Sequence, residues 1–176
     1  MASTTHWLAP EEQSAWHGFI RMQARLTGRL ARELQNETGL SAGDYAVLVA
    51  LTDAPDGRLR VLELARAVEW EKSRLSHRIG RMAGRGLVER VECEGDARGA
   101  FVVLTEGGRQ AIERAAPGHV ATVRRLALSA LSPDEIRLLG HISERILDRL
   151  EQDSHTPGDA TSKGVDGTRR AARPVL

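Results

Sequence analysis

The 176-residue sequence has a single cysteine, Cys93, so no disulfide can close within the chain, and a reducing compartment suits it. Aromatic residues make up 3% of the sequence while 41% is hydrophobic, so the core must be built from Leu, Ile, Val and Ala. There is no run of 18 apolar residues, which excludes a membrane-spanning helix. The first residues, MASTTHWLAPEEQ, show neither a basic n-region nor an apolar h-region, so no secretory leader is expected and a cytoplasmic location is. No internal repeat is visible. His6, His17, His77, His119, His141 and His155 do not pair at metal-ligand spacing, so no metal is expected. No phosphate loop with a Lys-Ser/Thr follow-on and no Ser/His/Asp motif is recognisable, so neither a cofactor nor enzymatic activity is expected.

The net charge of +1 excludes a general polycation, so the distribution of charge matters more than its sum. Between residues 72 and 90, Lys72, Arg74, Arg78, Arg81, Arg85 and Arg90 stand against Glu89 alone. A basic patch on a near-neutral chain fits a polyanion held by one surface.

Hydrophobic periodicity organises the rest. Residues 1–9 read as a flexible arm. Pro10-Glu11-Glu12 suits the first turn of a helix, because Pro tolerates that turn and acids favour its positive end. Trp16, Phe19, Ile20, Gln23, Leu26, Leu30 and Leu34 then form one stripe on a long helix stopped at Gly39. Ser41 and Asp44 have capping-box spacing, and the helix they open is apolar on most sides, which predicts a central position.

After a turn at 53–57, the pattern predicts a short strand at 59–61, a helix at 62–68, a turn at 69–72 and a helix at 73–85. Ser73 is a candidate cap for that last helix, and Trp70 a packing support. Residues 87–92 and 100–104 read as strands joined by a polar turn. Thr105 can cap a helix over 106–128, which Pro117-Gly118 is expected to kink or break. Ser132-Pro133-Asp134-Glu135 starts a final helix with Ile136, Leu139, Ile142, Ile146 and Leu150 in a stripe. Residues 151–176 lack periodicity and read as a disordered tail, in which Arg169, Arg170 and Arg173 are the clustered basics.

The fold class is therefore mainly α with a small β-wing: a winged helix-turn-helix between long N- and C-terminal helices. Leu75, Ile79 and Met82 fix the buried side of the 73–85 helix and leave Arg74, Ser76, His77, Arg78 and Arg81 on or beside its open side. Such a helix can enter a major groove, while the hairpin behind it reaches a neighbouring minor groove.

The ordered series Leu40-Ser41, Tyr45 to Leu51, Leu62-Glu63-Leu64-Ala65, Ser73 to Met82, Arg85-Gly86-Leu87-Val88-Glu89-Arg90, Asp96-Ala97-Arg98-Gly99 and Leu104-Thr105-Glu106-Gly107-Gly108 resembles the MarR family of transcriptional regulators. The resemblance covers roughly residues 16–150. It implies an obligate homodimer joined through its N- and C-terminal helices (10–39 and 106–150), with 41–105 as the reader of a pseudo-palindromic double-stranded operator. Binding in that family is commonly relieved by a small phenolic or other amphipathic ligand, or by thiol oxidation.

By position Ser76 and His77 match residues that touch bases. Ser73, Arg74, Arg78 and Arg81 complete the candidate major-groove contacts. Arg98, oriented by Asp96, is the candidate minor-groove contact. Trp16 and His17 are candidates for a ligand pocket bordered by the dimer helices. Redox-sensing members keep a Cys near the first helix and this chain does not, so Cys93 is read as a small apolar residue. The alternative reading is a winged-helix module for protein assembly or nonspecific nucleic-acid binding.

Overall fold

The structure is a computed structural model that describes residues 7–92 and 100–154. It divides into two compact units, with the break between Val123 and Arg124.

In the first unit, α1 (Pro10–Thr38) begins where the Glu12 carboxylate accepts from the Ala9 amide at 2.8 Å. It ends at Gly39, whose left-handed φ of 71° lets its amide turn back to the Gln35 carbonyl. α2 (Ala42–Asp53) opens on the reciprocal Ser41–Asp44 box: the Asp44 amide donates to Ser41 Oγ at 3.1 Å, and the Ser41 amide donates to Asp44 Oδ2 at 3.2 Å. As expected of a helix apolar on most sides, α2 is central, with Val47, Leu48 and Leu51 fully buried.

A short 3₁₀ turn, Pro55–Gly57, leads into β1 (Arg58–Arg60) and α3 (Val61–Ala67). The strand lies one residue earlier than expected. Glu63 Oε2 claims the Arg60 amide at 2.9 Å, so the helix already starts at Val61. α4 (Lys72–Gly84) also starts one residue early. Its N-cap is Glu71, still extended, and no side chain caps it. Ser73 is already helical, so it does not fill the capping role expected of it.

β2 (Val88–Glu92) and β3 (Ala100–Leu104) pair antiparallel with Val88 opposite Leu104, and β3 also pairs with β1, giving the order β1-β3-β2. On β3, Ala100, Val102 and Leu104 point into the core, which leaves Phe101 under the guanidinium groups of Arg58 and Arg60, each 5.3 Å from the ring centre. Leu64, Leu75, Met82 and Val102 complete the fully buried set with those of α2. Burial of each such side chain contributes about 1.5–3 kcal/mol.

α5 (Glu106–Leu126) follows at once. Thr105 Oγ donates to the Gly86 carbonyl at 2.6 Å and accepts from the Gly108 amide at 3.0 Å, so one hydroxyl fastens the exit of α4 to the start of α5. A Cβ at residue 108 would lie 2.0 Å from the Leu87 carbonyl oxygen, a separation that demands glycine. Contrary to expectation, α5 runs unbroken through Pro117. Pro117 and Glu113, whose carbonyl loses its partner, are both exposed, so water can take up that carbonyl. On the buried side of α5, Thr122 Oγ donates to Glu33 Oε2 at 3.3 Å.

In the second unit, a 3₁₀ turn (Leu128–Ala130) precedes α6 (Pro133–Ser154). Ser132 and Glu135 cap α6 reciprocally, at 2.7 and 3.3 Å. The Ser132 amide at 2.7 Å and hydroxyl at 2.8 Å both donate to Glu135 Oε2 and hold that carboxyl below its ordinary pKa. The expected stripe of Ile136, Leu139, Ile142, Ile146 and Leu150 is present and 40–58% exposed.

Candidate nucleic-acid interface

α4 carries the reading face. Leu75, Ile79 and Met82 anchor it at spacings of four and three, so rotation about its axis is set by the core. Ser73, Arg74, Ser76, His77 and Arg81 are all exposed on the remaining surface. Ser76 Oγ donates to the Lys72 carbonyl at 2.8 Å, which leaves its lone pairs facing outward. The Arg74 guanidinium lies 4.9 Å from the centre of the Trp70 ring, an attraction that steadies an otherwise flexible cation. Trp70 thus supports the reader, as its place in the turn suggested.

Arg78 is placed differently. It is half-buried and turned inward, with Nη1 donating to Ser41 Oγ at 2.7 Å and to Asp44 Oδ1 at 3.2 Å. Arg85 donates from Nη1 to Asp44 Oδ2 at 2.8 Å and from Nη2 to the Gly39 carbonyl at 3.0 Å. The sequence count of six cations against one acid is therefore corrected, because Asp44 arrives from α2 to face two of them. Burial alone would push the Asp44 carboxyl up. Hydrogen bonds from Ser41, Arg78 and Arg85 outweigh that and hold it below the ordinary carboxylate pKa.

The wing is anchored by Thr105 and by the β2–β3 register. Its tip, with Cys93, Asp96 and Arg98, lies outside the described residues.

A cleft of about 620 Å³ opens beside α2, lined by Tyr45, Val49, Asp53, Leu59, Val68 and His119 among others. Tyr45 is 6% exposed, and its hydroxyl has no hydrogen-bond partner among the described residues. The Tyr45 and His119 rings stand 4.6 Å apart. Burial holds the imidazole below its ordinary pKa and the phenol above its own. Trp16, stacked on Phe19 at 5.8 Å, and His17 are exposed on α1, and neither lines this cleft. In the sequence Tyr45 lies on a helix expected to be central, and no pattern there gives His119 a role. No local signal links the two residues, since they sit on separate helices. Among the described residues no group of three His, Cys, Asp or Glu could hold a metal ion.

Residues 38–99 match the MarR family model. The solved structure of AbsC, a MarR-family transcriptional regulator from Streptomyces coelicolor, superposes with a TM-score of 0.79 at 40% identity, over 84% of this chain and 99% of that one. The chain belongs to the MarR family. A second MarR-family regulator from S. coelicolor, Sco3205, solved in complex with DNA, superposes with a TM-score of 0.78 at 38% identity, over 82% and 94% of the two chains. The transcriptional repressor YetL of Bacillus subtilis is 30% identical over 112 residues, 61% of this chain and 66% of its own length. A MarR-family chain is a transcriptional regulator, and the relatives are regulators rather than enzymes.

Proposed function

We propose that the chain is a homodimeric, sequence-specific DNA-binding repressor of the cytoplasm, responsive to a small ligand. The observation that carries this reading is the exposed face of α4, where Arg74, Ser76, His77 and Arg81 stand opposite a fully packed apolar side. Arginine forks match guanine edges (Arg74) and phosphate oxygens (Arg81), and hydroxyl and imidazole groups reach bases or phosphate. The DNA complex of Sco3205 and the sign of YetL support the reading. Asp96 and Arg98 are the candidate minor-groove residues of this reading.

Apolar residues for pairing are left exposed on α1 (Trp16, Phe19, Ile20) and, in the other unit, on α6 (Leu139, Ile142, Ile146). Monomeric soluble proteins rarely leave large contiguous apolar patches open. In this division residues 10–39 and 106–150 join the subunits and 41–105 reads. Two readers then meet half-sites about one helical turn apart.

The Tyr45–His119 cleft is the ligand site. Among the described residues its lining contributes Asp53, Glu69, a phenol and an imidazole whose pKa burial lowers, and no Lys or Arg. It therefore suits a neutral or cationic amphipath better than an aromatic carboxylate. Selection of bound fragments from random duplexes, followed by release with neutral phenols, amines and benzoates, tests the whole reading. A recovered inverted repeat released by the first two classes is expected. Recovery of no shared sequence would favour an assembly module instead.

A further inference from the structure

Asp44 stands at an unusual crossing. Its carboxylate is buried, 4% exposed, and accepts from three directions: the Ser41 amide at 3.2 Å, Arg78 at 3.2 Å and Arg85 at 2.8 Å. The two arginines are seven residues apart on α4 and its exit, hence on one edge of the helix two turns apart. One carboxylate thus grips the reading helix at its middle and at its end. Arg85 extends the grip to the Gly39 carbonyl, where α1 finishes.

Arg78 is also held from its other side. Its guanidinium lies 5.6 Å from the centre of the Trp70 ring, the same ring that carries Arg74. Gly43, next to Asp44, makes the room: a Cβ there would be 2.7 Å from the end of the Trp70 ring and 3.0 Å from the Arg78 guanidinium carbon. Arg78 is therefore clamped between a carboxylate and an indole, and its side chain is 23% exposed. Both N–H groups of Arg78 Nη1 are spent on Ser41 and Asp44, and turning them to a phosphate would strand a buried carboxylate.

We propose that Asp44 is a positioning residue for DNA reading: through Arg78 and Arg85 it sets the attitude of α4 against the α1–α2 corner, and both arginines serve that clamp instead of the duplex. This rests on the DNA-binding reading above. Arg74, Arg81 and the polar residues between them then meet DNA at an angle that Asp44 decides. Specificity, more than charge, depends on the clamp.

The experiment measures binding of the full chain to its selected duplex and to a scrambled duplex across a salt series. Thermal melts confirm that each variant is folded at the assay temperature. Arg81→Ala lowers the slope of log K against log salt by about 0.9, the signature of one lost phosphate contact. Arg78→Ala, Arg78→Lys and Asp44→Asn leave that slope at the wild-type value and cut the preference for the selected duplex by about tenfold, the scale of one lost base-pair discrimination. A double-mutant cycle of Asp44→Asn with Arg78→Ala is strongly non-additive in that preference.

If Asp44→Asn does not fold, the Arg78→Lys arm decides, since Lys keeps the charge and loses the fork. The proposal is overturned if Arg78→Ala lowers the slope as Arg81→Ala does. Folded clamp variants that discriminate like wild type overturn it equally, because a purely structural clamp moves the melting temperature alone. Failure of the DNA-binding reading looks different: wild type itself then shows no preference between the duplexes, and Arg81→Ala changes no slope.

Discussion

The Tyr45 ring stands 4.6 Å from the His119 imidazole, at an interplanar angle of 42°, with the Tyr45 hydroxyl buried and without a partner among the described residues. An apolar helix face therefore carries one unsatisfied polar atom at the edge of an open cleft.

Removing that atom tests the ligand site. Tyr45→Phe is expected to raise stability by about 1 kcal/mol, because an unmet buried donor is lost without a change of shape. For a domain of this size that is about 2–4 °C in melting temperature. The same variant binds neutral phenols and amines more weakly, as read by ligand-dependent melting shifts. An unchanged shift with every ligand would remove Tyr45 from the site.

His119 ties stability to pH. Burial lowers its pKa in the folded chain, while the unfolded chain protonates at the ordinary value of 6.5. Stability contributed by the neutral ring is full above that value and drains as pH falls below it. His119→Gln is expected to flatten the loss of stability between pH 7 and 5 in denaturant titrations. A wild-type slope in the variant would contradict this cause. Asp44 acts lower on the scale: its depressed pKa supplies stability present above 3.8 and lost as pH falls through the folded-state value.

The clamp also has a thermodynamic consequence. Asp44→Ala leaves Arg78 and Arg85 without their buried acid and removes the reciprocal cap of α2. Breaking a fully buried pair costs about 3–5 kcal/mol, and because Arg85 is 45% exposed the expected loss is nearer 2–3 kcal/mol. Urea denaturation checks it. A loss under 0.5 kcal/mol would mean that solvent replaces the clamp freely.

Much of this was legible in the sequence. The capping boxes at Ser41–Asp44 and Ser132–Glu135 could be read because their partners lie three residues apart. The central place of α2 follows from a surface apolar on most sides, and the buried side of α4 from Leu75, Ile79 and Met82. The reach of Asp44 to Arg78 and Arg85 spans 34 and 41 residues, and periodicity carries no information at that range. For the same reason the cleft between Tyr45 and His119 was missed, and Trp16 and His17 were preferred by position on α1. Ser73 was read as a cap because Ser favours that role, yet Glu71 was the last extended residue. Pro117-Gly118 suggests a kink or a break in the sequence because the exposure of its face does not show there.

Pairing through the exposed apolar residues has its own test. Leu139→Glu combined with Ile142→Glu is expected to give a monomer in sedimentation velocity, with α-helical content kept by circular dichroism. DNA affinity then falls about 100-fold or more, since two half-sites no longer bind as one. A double variant that sediments as wild type would place the subunit contact elsewhere.

The most direct measurement is a hydroxyl-radical footprint of the purified protein on its selected duplex. Two protected blocks are predicted, related by a dyad and centred about 10 base pairs apart, both erased when Arg74 and Arg81 are replaced by Ala. A single unpaired block, or protection that survives those replacements, would contradict a matched pair of α4 helices reading DNA.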